Sequence, residues 1–166
     1  MLQPIFLFLL KYRFLTSDKD LQFLLKLTED LFTKNYKSIK GYDFKILINE
    51  NFEEVIKNCA NIKRKHEDDT WISEEFIWAY TNLFNLGQAF SIECYLDDKL
   101  VGGLYGIMMD DVFCGESMFS DVSDASKVAF YHLCNQAKQN GIKLIDCQVY
   151  NEHLASLGAK EISREE

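Results

Sequence analysis

The chain is poor in residues that interrupt regular structure. One proline and eight glycines among 166 residues leave no stretch that reads as a linker or low-complexity tract, and no internal repeat is visible. Positive charge is also scarce. Eighteen Lys and Arg against 26 Asp and Glu give a net charge of −8, which argues against a protein that grips nucleic acid non-specifically through its phosphates. Local basic clusters (Lys34, Lys37, Lys40 and Lys63, Arg64, Lys65, His66) read as solvated surface, and an acidic surface suits a basic partner or substrate. Three histidines, none at ligand spacing, argue against a zinc site. Five cysteines (Cys59, Cys94, Cys114, Cys134, Cys147) are odd in number, lack metal-type spacing and lie in apolar segments, as expected of reduced thiols in a cytosolic protein. The apolar run Ile5 to Leu10 falls far short of the roughly 20 residues that span a bilayer, and no basic signal-peptide start precedes it. A buried strand or short helix is expected there, and no membrane contact. No Ser-His-Asp or Cys-His order stands out, so covalent catalysis is not indicated.

What is present is the balance of a globular domain, 48% hydrophobic and 27% charged. Helical spacing of Leu21, Leu24, Leu25, Leu27, Leu31 and Phe32 predicts an amphipathic helix over Lys19 to Tyr36. "YDFKILI" (42–48) alternates as a strand, and Asn51 precedes a helix through Phe52, Val55, Ile56 and Cys59. A charged loop leads to Ser73, the expected cap of a helix that ends at Gly87. "FSIECYL", the turn "DDK" and "LVGGLYGIMM" form a hairpin, with "DVFCGESMF" as a third antiparallel strand. Three glycines in "VGGLYG" signal close backbone approach or a bulge; no helix follows, which excludes a dinucleotide fingerprint. A helix capped by Asp124 or Ser123 ends at Gly141, the strand "KLIDCQV" follows, and "NEHLASLGA" makes a helical turn or two closing on Gly158. The order is α+β (mixed α/β): an antiparallel meander, a helix and a returning parallel strand, as in the acetyltransferase-like (GNAT) fold. Residues 1–41 are expected as a helical N-terminal segment packed on a core domain of 42–166.

Within "KLIDCQV", strand alternation puts Asp146 and Gln148 on one face, opposite Ile145, Cys147 and Val149. Glu116 ends the neighbouring apolar strand. Such a set is either a polar network inside the sheet or a site that accepts a proton and orients an amine. Ser126 and Lys127 open the helix after it, as caps or surface, and Trp71 alone reads as core.

Four stretches carry a resemblance: "DDTWISEEFIWAYTNLFNLGQAFSIE", "LVGGLYG", "FCGESMFSDVSDASKVA" and "LIDCQVYNEHLASLGAKEISR". Together, over roughly residues 42 to 164, they resemble the leucyl/phenylalanyl-tRNA–protein transferase family, with "GESMFS" and "LIDCQ" the most specific pieces. The resemblance implies a GNAT-like fold and an aminoacyltransferase of the cytoplasm. It would move Leu, Phe or Met from aminoacyl-tRNA to the α-amine of proteins beginning with Arg or Lys, in N-end-rule degradation. It further implies Asp146 and Gln148 as the catalytic pair, Glu116 and Asn151 as holding the acceptor, and Trp71 as stacking on the terminal adenosine of the tRNA. Leu104 and Phe113 would wall the pocket for the transferred side chain, with Ser120 and Ser126 nearby. No cofactor is implied, because an aminoacyl ester is already activated, and a monomer is expected. The family's glycine- and tryptophan-bearing N-terminal motifs have no counterpart in residues 1–40, which hold only Pro4 of those residue types; "QAFSIE" replaces the family's two-histidine version. A member divergent or truncated at its N-terminus is therefore expected. Two other readings stay open: a module that recognises basic N-termini without transfer, and a GNAT-like enzyme using an acyl-CoA donor. The absence of glycine from "SMFSDVSDASK" counts against the latter.

Overall fold

The computed structural model describes residues 21–26, 43–62 and 71–163. Its centre is a seven-stranded sheet of spatial order β2-β3-β4-β5-β6-β1-β7. The strands are β1 Leu21–Lys26, β2 Lys45–Ile48, β3 Ala89–Leu96, β4 Lys99–Met109, β5 Val112–Ser120, β6 Leu144–Asp146 and β7 Lys160–Ser163. Helices α1 Phe52–Asn61, α2 Glu74–Asn85, α3 Ala125–Gln139 and the short α4 Glu152–Ser156 complete the described chain. All neighbouring strands are antiparallel except β5 and β6, whose parallel pairing joins Val112 to Leu144, Phe113 to Ile145 and Cys114 to Asp146. The meander, helix and returning parallel strand expected of the α+β order are thus in place.

Alternation on β4, stepped by a bulge at Val101 (Cys94 pairs with Gly102 but Tyr95 with Leu100), builds two cores. Leu104 and Val101 join Phe113, Ile145 and the apolar stripe of α3 (Phe130, Leu133, Cys134) on one face. Leu100, Tyr105 and Ile107 join α1 and α2 on the other, where Phe52 stacks on Phe84 with ring centroids 4.7 Å apart. Burial on both faces makes β4 a near-continuous apolar run, and each large side chain so buried contributes about 1.5–3 kcal/mol. The β3–β4 hairpin turns through Asp97 and Asp98, both at positive φ, the backbone that a tight two-residue turn demands. After α2 the chain reverses at Gly87 (φ 71), where the Gly87 and Gln88 amides donate to the Phe84 and Leu83 carbonyls and close the helix.

The glycines of "VGGLYG" serve close approach. A Cβ on Gly102 would lie 2.6 Å from Ala125 Cβ and 3.0 Å from its carbonyl carbon, so β4 touches the first residue of α3 there. Gly102→Ala is expected to cost about 1–3 kcal/mol by overpacking, read as a lower urea midpoint with unchanged slope. An unshifted midpoint would show that α3 moves aside freely.

Two expectations are corrected. The helix over Lys19 to Tyr36 is not formed at Leu21–Lys26, which is strand β1, paired with both β6 and β7. A short apolar run satisfies helical and buried-strand patterns alike, and two open strand edges offering backbone hydrogen bonds decide for the strand. β1 therefore belongs to the same sheet as the 42–166 part of the chain, and β7 was not anticipated. The rest of that predicted helix, the run Ile5 to Leu10 and the two basic clusters lie outside the described residues. The strand expected over "KLIDCQV" is also shorter, ending at Asp146.

Candidate active site

The site lies where β6 stops while β5 runs on. Three backbone irregularities deliver its polar groups. The first is a bulge: Tyr105 pairs with Ser117 and Gly106 with Gly115, which leaves Glu116 as the extra, unpaired residue of β5. The second is the end of β6 at Asp146, the last residue of the parallel pairing. The third is a tight turn. The Val149 amide donates to the Cys147 carbonyl at 2.8 Å, and Gln148 between them has φ 63. An i→i+2 bond around a residue of positive φ is the rarer, strained form of γ-turn, and a non-glycine residue holds it only when its surroundings over-determine it. Here Asp146 Oδ1 accepts the Gln148 amide at 2.8 Å and braces the turn.

The turn carries Gln148 into contact with β5. Its Nε2 donates to the Gly115 carbonyl at 2.6 Å and to Glu116 Oε2 at 3.1 Å. Both amide hydrogens are thereby used, and the side-chain oxygen is the group left to accept. The expectation that Asp146 and Gln148 share a strand face is corrected in its reason: the pair is brought together by the γ-turn, and Gln148 lies beyond the strand.

Beside this trio is a cavity of about 80 Å³. Leu104, Phe113, Phe130, Leu133 and Ile145 supply its apolar wall, and Glu116 and Asp146 line it too. Leu104 and Phe113 are nearly fully buried, so the wall is dry. Cys147 also lines it; burial, and secondarily the Asp146 charge, push its thiol up to about 12, so it is no nucleophile near neutral pH.

The remaining candidates sit outside the cavity lining. Asn151 caps α4, its Oδ1 accepting from the His153 and Leu154 amides at 2.8 and 3.3 Å. Ser120 Oγ donates to the Val122 carbonyl at 2.8 Å and accepts the Ser126 amide at 3.2 Å, fixing the start of α3. Lys127, disfavoured by the helix dipole, is neutralised by Asp124 at 2.5 Å. Trp71 is 41% exposed, edge-on to Phe76 at 5.5 Å, and so is not core.

Sequence reasoning passed over the far walls, Phe130, Leu133 and Ile145, although Phe130 and Leu133 stand one helical turn apart on α3. It also passed over Glu93, which is fully buried. Glu93 Oε1 accepts the Ser91 hydroxyl at 2.5 Å and the Asn51 amide at 3.5 Å, and Oε2 accepts the Glu50 amide at 3.4 Å. Alternation of Ser91 and Glu93 with Ile92 and Cys94 was the available signal.

A family model described as "Leucyl/phenylalanyl-tRNA protein transferase" matches residues 27–166. A protein of that name from Flavobacterium johnsoniae is 58% identical over 123 residues, covering 74% of this chain and 58% of its own length. Another from Hydrogenovibrio crunogenus is 51% identical over 129 residues, 78% of this chain and 50% of its own. The chain thus spans only about half of the curated relatives it matches. Among solved structures, a functionally unknown protein from Staphylococcus epidermidis superposes with TM-score 0.56 at 12% identity, over 86% of this chain and 57% of that one. A conserved protein of unknown function from Bacteroides thetaiotaomicron does so with TM-score 0.54 at 14% identity, over 82% and 54%. These two speak to the fold alone; identity and the matched span speak to descent, and by them this chain belongs to the leucyl/phenylalanyl-tRNA–protein transferase family.

Proposed function

We propose that this chain carries the reaction centre of an aminoacyl-tRNA–protein transferase, which moves Leu, Phe or Met from charged tRNA to the α-amine of proteins beginning with Arg or Lys. The observation that carries the reading is the contact between Glu116 and Gln148, braced by Asp146, at the rim of an apolar cavity.

The transferred side chain occupies the cavity against Leu104 and Phe113, which holds the ester carbonyl at the rim. The acceptor's basic first residue and its amine are drawn to Glu116 and Asp146. Gln148, its Nε2 already committed, presents Oε1 to an amine hydrogen and aims the nitrogen lone pair at the carbonyl carbon. An α-amine titrates near about 8, so the neutral nucleophile is available and needs mainly positioning. As the new C–N bond forms and the ester C–O bond breaks, Asp146 takes the proton leaving nitrogen and returns it to the departing ribose oxygen. No cofactor is required. Asn151, whose Oδ1 is spent on α4, has only N–H groups to offer and holds a carbonyl of the acceptor. Ser120 and Ser126 act one step removed, by fixing α3. Exposed Trp71 stacks on the terminal adenosine. The reaction belongs to the cytoplasm, in N-end-rule degradation, and needs only one copy of the chain.

Transfer of labelled Leu from charged tRNA to a peptide beginning with Arg tests this, with a peptide beginning with Ser as control. Transfer to the Arg peptide alone is expected. Arg-peptide binding without transfer would overturn the enzyme reading and leave a recognition module.

A further inference from the structure

Of the glycines in "VGGLYG", Gly102 is explained by its contact with α3, whereas Gly106 lies beyond that contact. Glycine inside a strand weakens it, so its presence calls for a reason. Gly106 is not among the described residues at positive φ, so backbone conformation does not supply one. Space does. A Cβ at Gly106 would lie 2.5 Å from Cζ and 2.7 Å from Cε1 of Phe113, and would also collide with the Cys114 carbonyl oxygen.

The encounter follows from register. Leu104 and Gly106 are two apart on β4 and share a sheet face, the one whose core holds Leu104 and Phe113. Phe113 pairs with Met108 across the strand, which makes Gly106 its diagonal neighbour, within reach of an aromatic ring. The tip of that ring therefore occupies the place where a side chain of residue 106 would stand. At 1% exposure the ring is enclosed, and the cavity of about 80 Å³ that it lines with Leu104 is the space left beside it.

We infer that Gly106 sets the width of this cavity, and with it the size of side chain accepted for transfer, by seating the Phe113 ring on β4. This rests on the transferase reading above. Carbon atoms rest about 3.5–4.0 Å apart, so even one methyl group at 106 drives the ring tip about 1 Å off the strand. The surrounding core is close-packed, and the cavity is where the ring has room to go. There is little volume to spare, since an apolar cavity that holds benzene measures about 150 Å³. The loss bears first on Phe, the widest of the three side chains. The Cys114 carbonyl has a different part: it precedes Gly115, where the bulge that leaves Glu116 unpaired begins. Its displacement lowers transfer of every aminoacyl group alike, so the two effects carry different signatures.

The experiment measures kcat/KM for leucyl- and phenylalanyl-tRNA with one Arg peptide, on the full chain. Gly106→Ala is expected to raise the Leu-to-Phe ratio about tenfold or more, the scale on which an apolar pocket resolves a methylene. Phe113→Leu, which removes the ring tip, is expected to lower the ratio about as much, and the double variant to return it to that of the parent. A fall in both rates at an unchanged ratio overturns the inference, because disturbed strand pairing or a displaced Glu116 acts on both substrates. If circular dichroism shows Gly106→Ala unfolded, Phe113→Leu decides, and an unchanged ratio there overturns the inference too. Equilibrium binding of leucinamide and phenylalaninamide, with no tRNA present, separates the two readings. A phenylalaninamide affinity that Gly106→Ala lowers selectively, without transfer by the parent chain, refutes the transferase and keeps the seat; transfer at a ratio that neither variant moves does the reverse. Neither binding nor transfer overturns both.

Discussion

Asp146→Asn is expected to lower the rate of transfer from leucyl-tRNA to an Arg peptide by about 10²–10⁴-fold, the usual contribution of a positioned general base, with a smaller effect on peptide KM. The asymmetry follows from geometry. Asn keeps a side-chain oxygen that can brace the Gln148 amide, so the turn, the Glu116 contact and the acceptor's seat persist. Only proton acceptance is lost. Gln148→Ala makes the complementary case: it leaves the base but removes the carboxamide, and the γ-turn loses the bonds to Gly115 and Glu116 that hold it. Its KM for the acceptor should rise along with the fall in kcat. Steady-state kinetics over a peptide titration reads both, with circular dichroism as the control for folding. Parent-like kinetics in a folded Asp146→Asn would falsify the assignment of the base.

The second large effect concerns stability. Glu93→Ala is expected to cost about 3–5 kcal/mol, because deletion opens a cavity and strands polar groups inside. The Ser91 hydroxyl and the Glu50 and Asn51 amides at the entry to α1 all lose an acceptor. At about 2–4 °C per kcal/mol for a chain of this size, the melting temperature should fall by roughly 10 °C. Glu93→Gln, which keeps one oxygen but introduces a donor pair, should fall between. If Glu93→Ala melts with the parent, the buried carboxyl contributes nothing net. The effect is structural: α1 packs on the sheet through Phe52, edge-on to Tyr105 at 5.7 Å, and Tyr105 borders the cavity, so a loosened α1 reaches the site only through the sheet.

Which parts of this were legible in the sequence follows from what periodicity can encode. The β3–β4–β5 meander and helices α1, α2 and α3 were read well, since their patterns are long and their ends carry turn residues such as Asp97, Asp98 and Gly87. β1 was misread because "LQFLLK" fits either period, and only the free edges of β6 and β7 resolve it. β7 was missed because a short strand of mixed polarity has no pattern of its own. Asp146, Glu116, Leu104 and Phe113 line one cavity with Gln148 bonded to Glu116, yet the alternation argument that paired Asp146 with Gln148 assumed a regular strand. A bulge and a γ-turn are departures from period 2, so a reading built on that period could not see what positions Glu116 and Gln148. Strand alternation put those two names forward and the family resemblance gave them roles; backbone geometry supplies their positions.

The place of β1 in the sheet bears on how the chain is made. In the order of synthesis it precedes the whole meander, yet its two neighbours, β6 and β7, follow only after α3. Until they emerge, β1 has neither partner, and the meander that follows it can form without it. Ordering of the strand that ends in Asp146 is thus a late event, closing a long loop at high entropic cost. Refolding should show the meander protected from hydrogen exchange first, with β1, β6 and the reaction centre protected together in a slower phase.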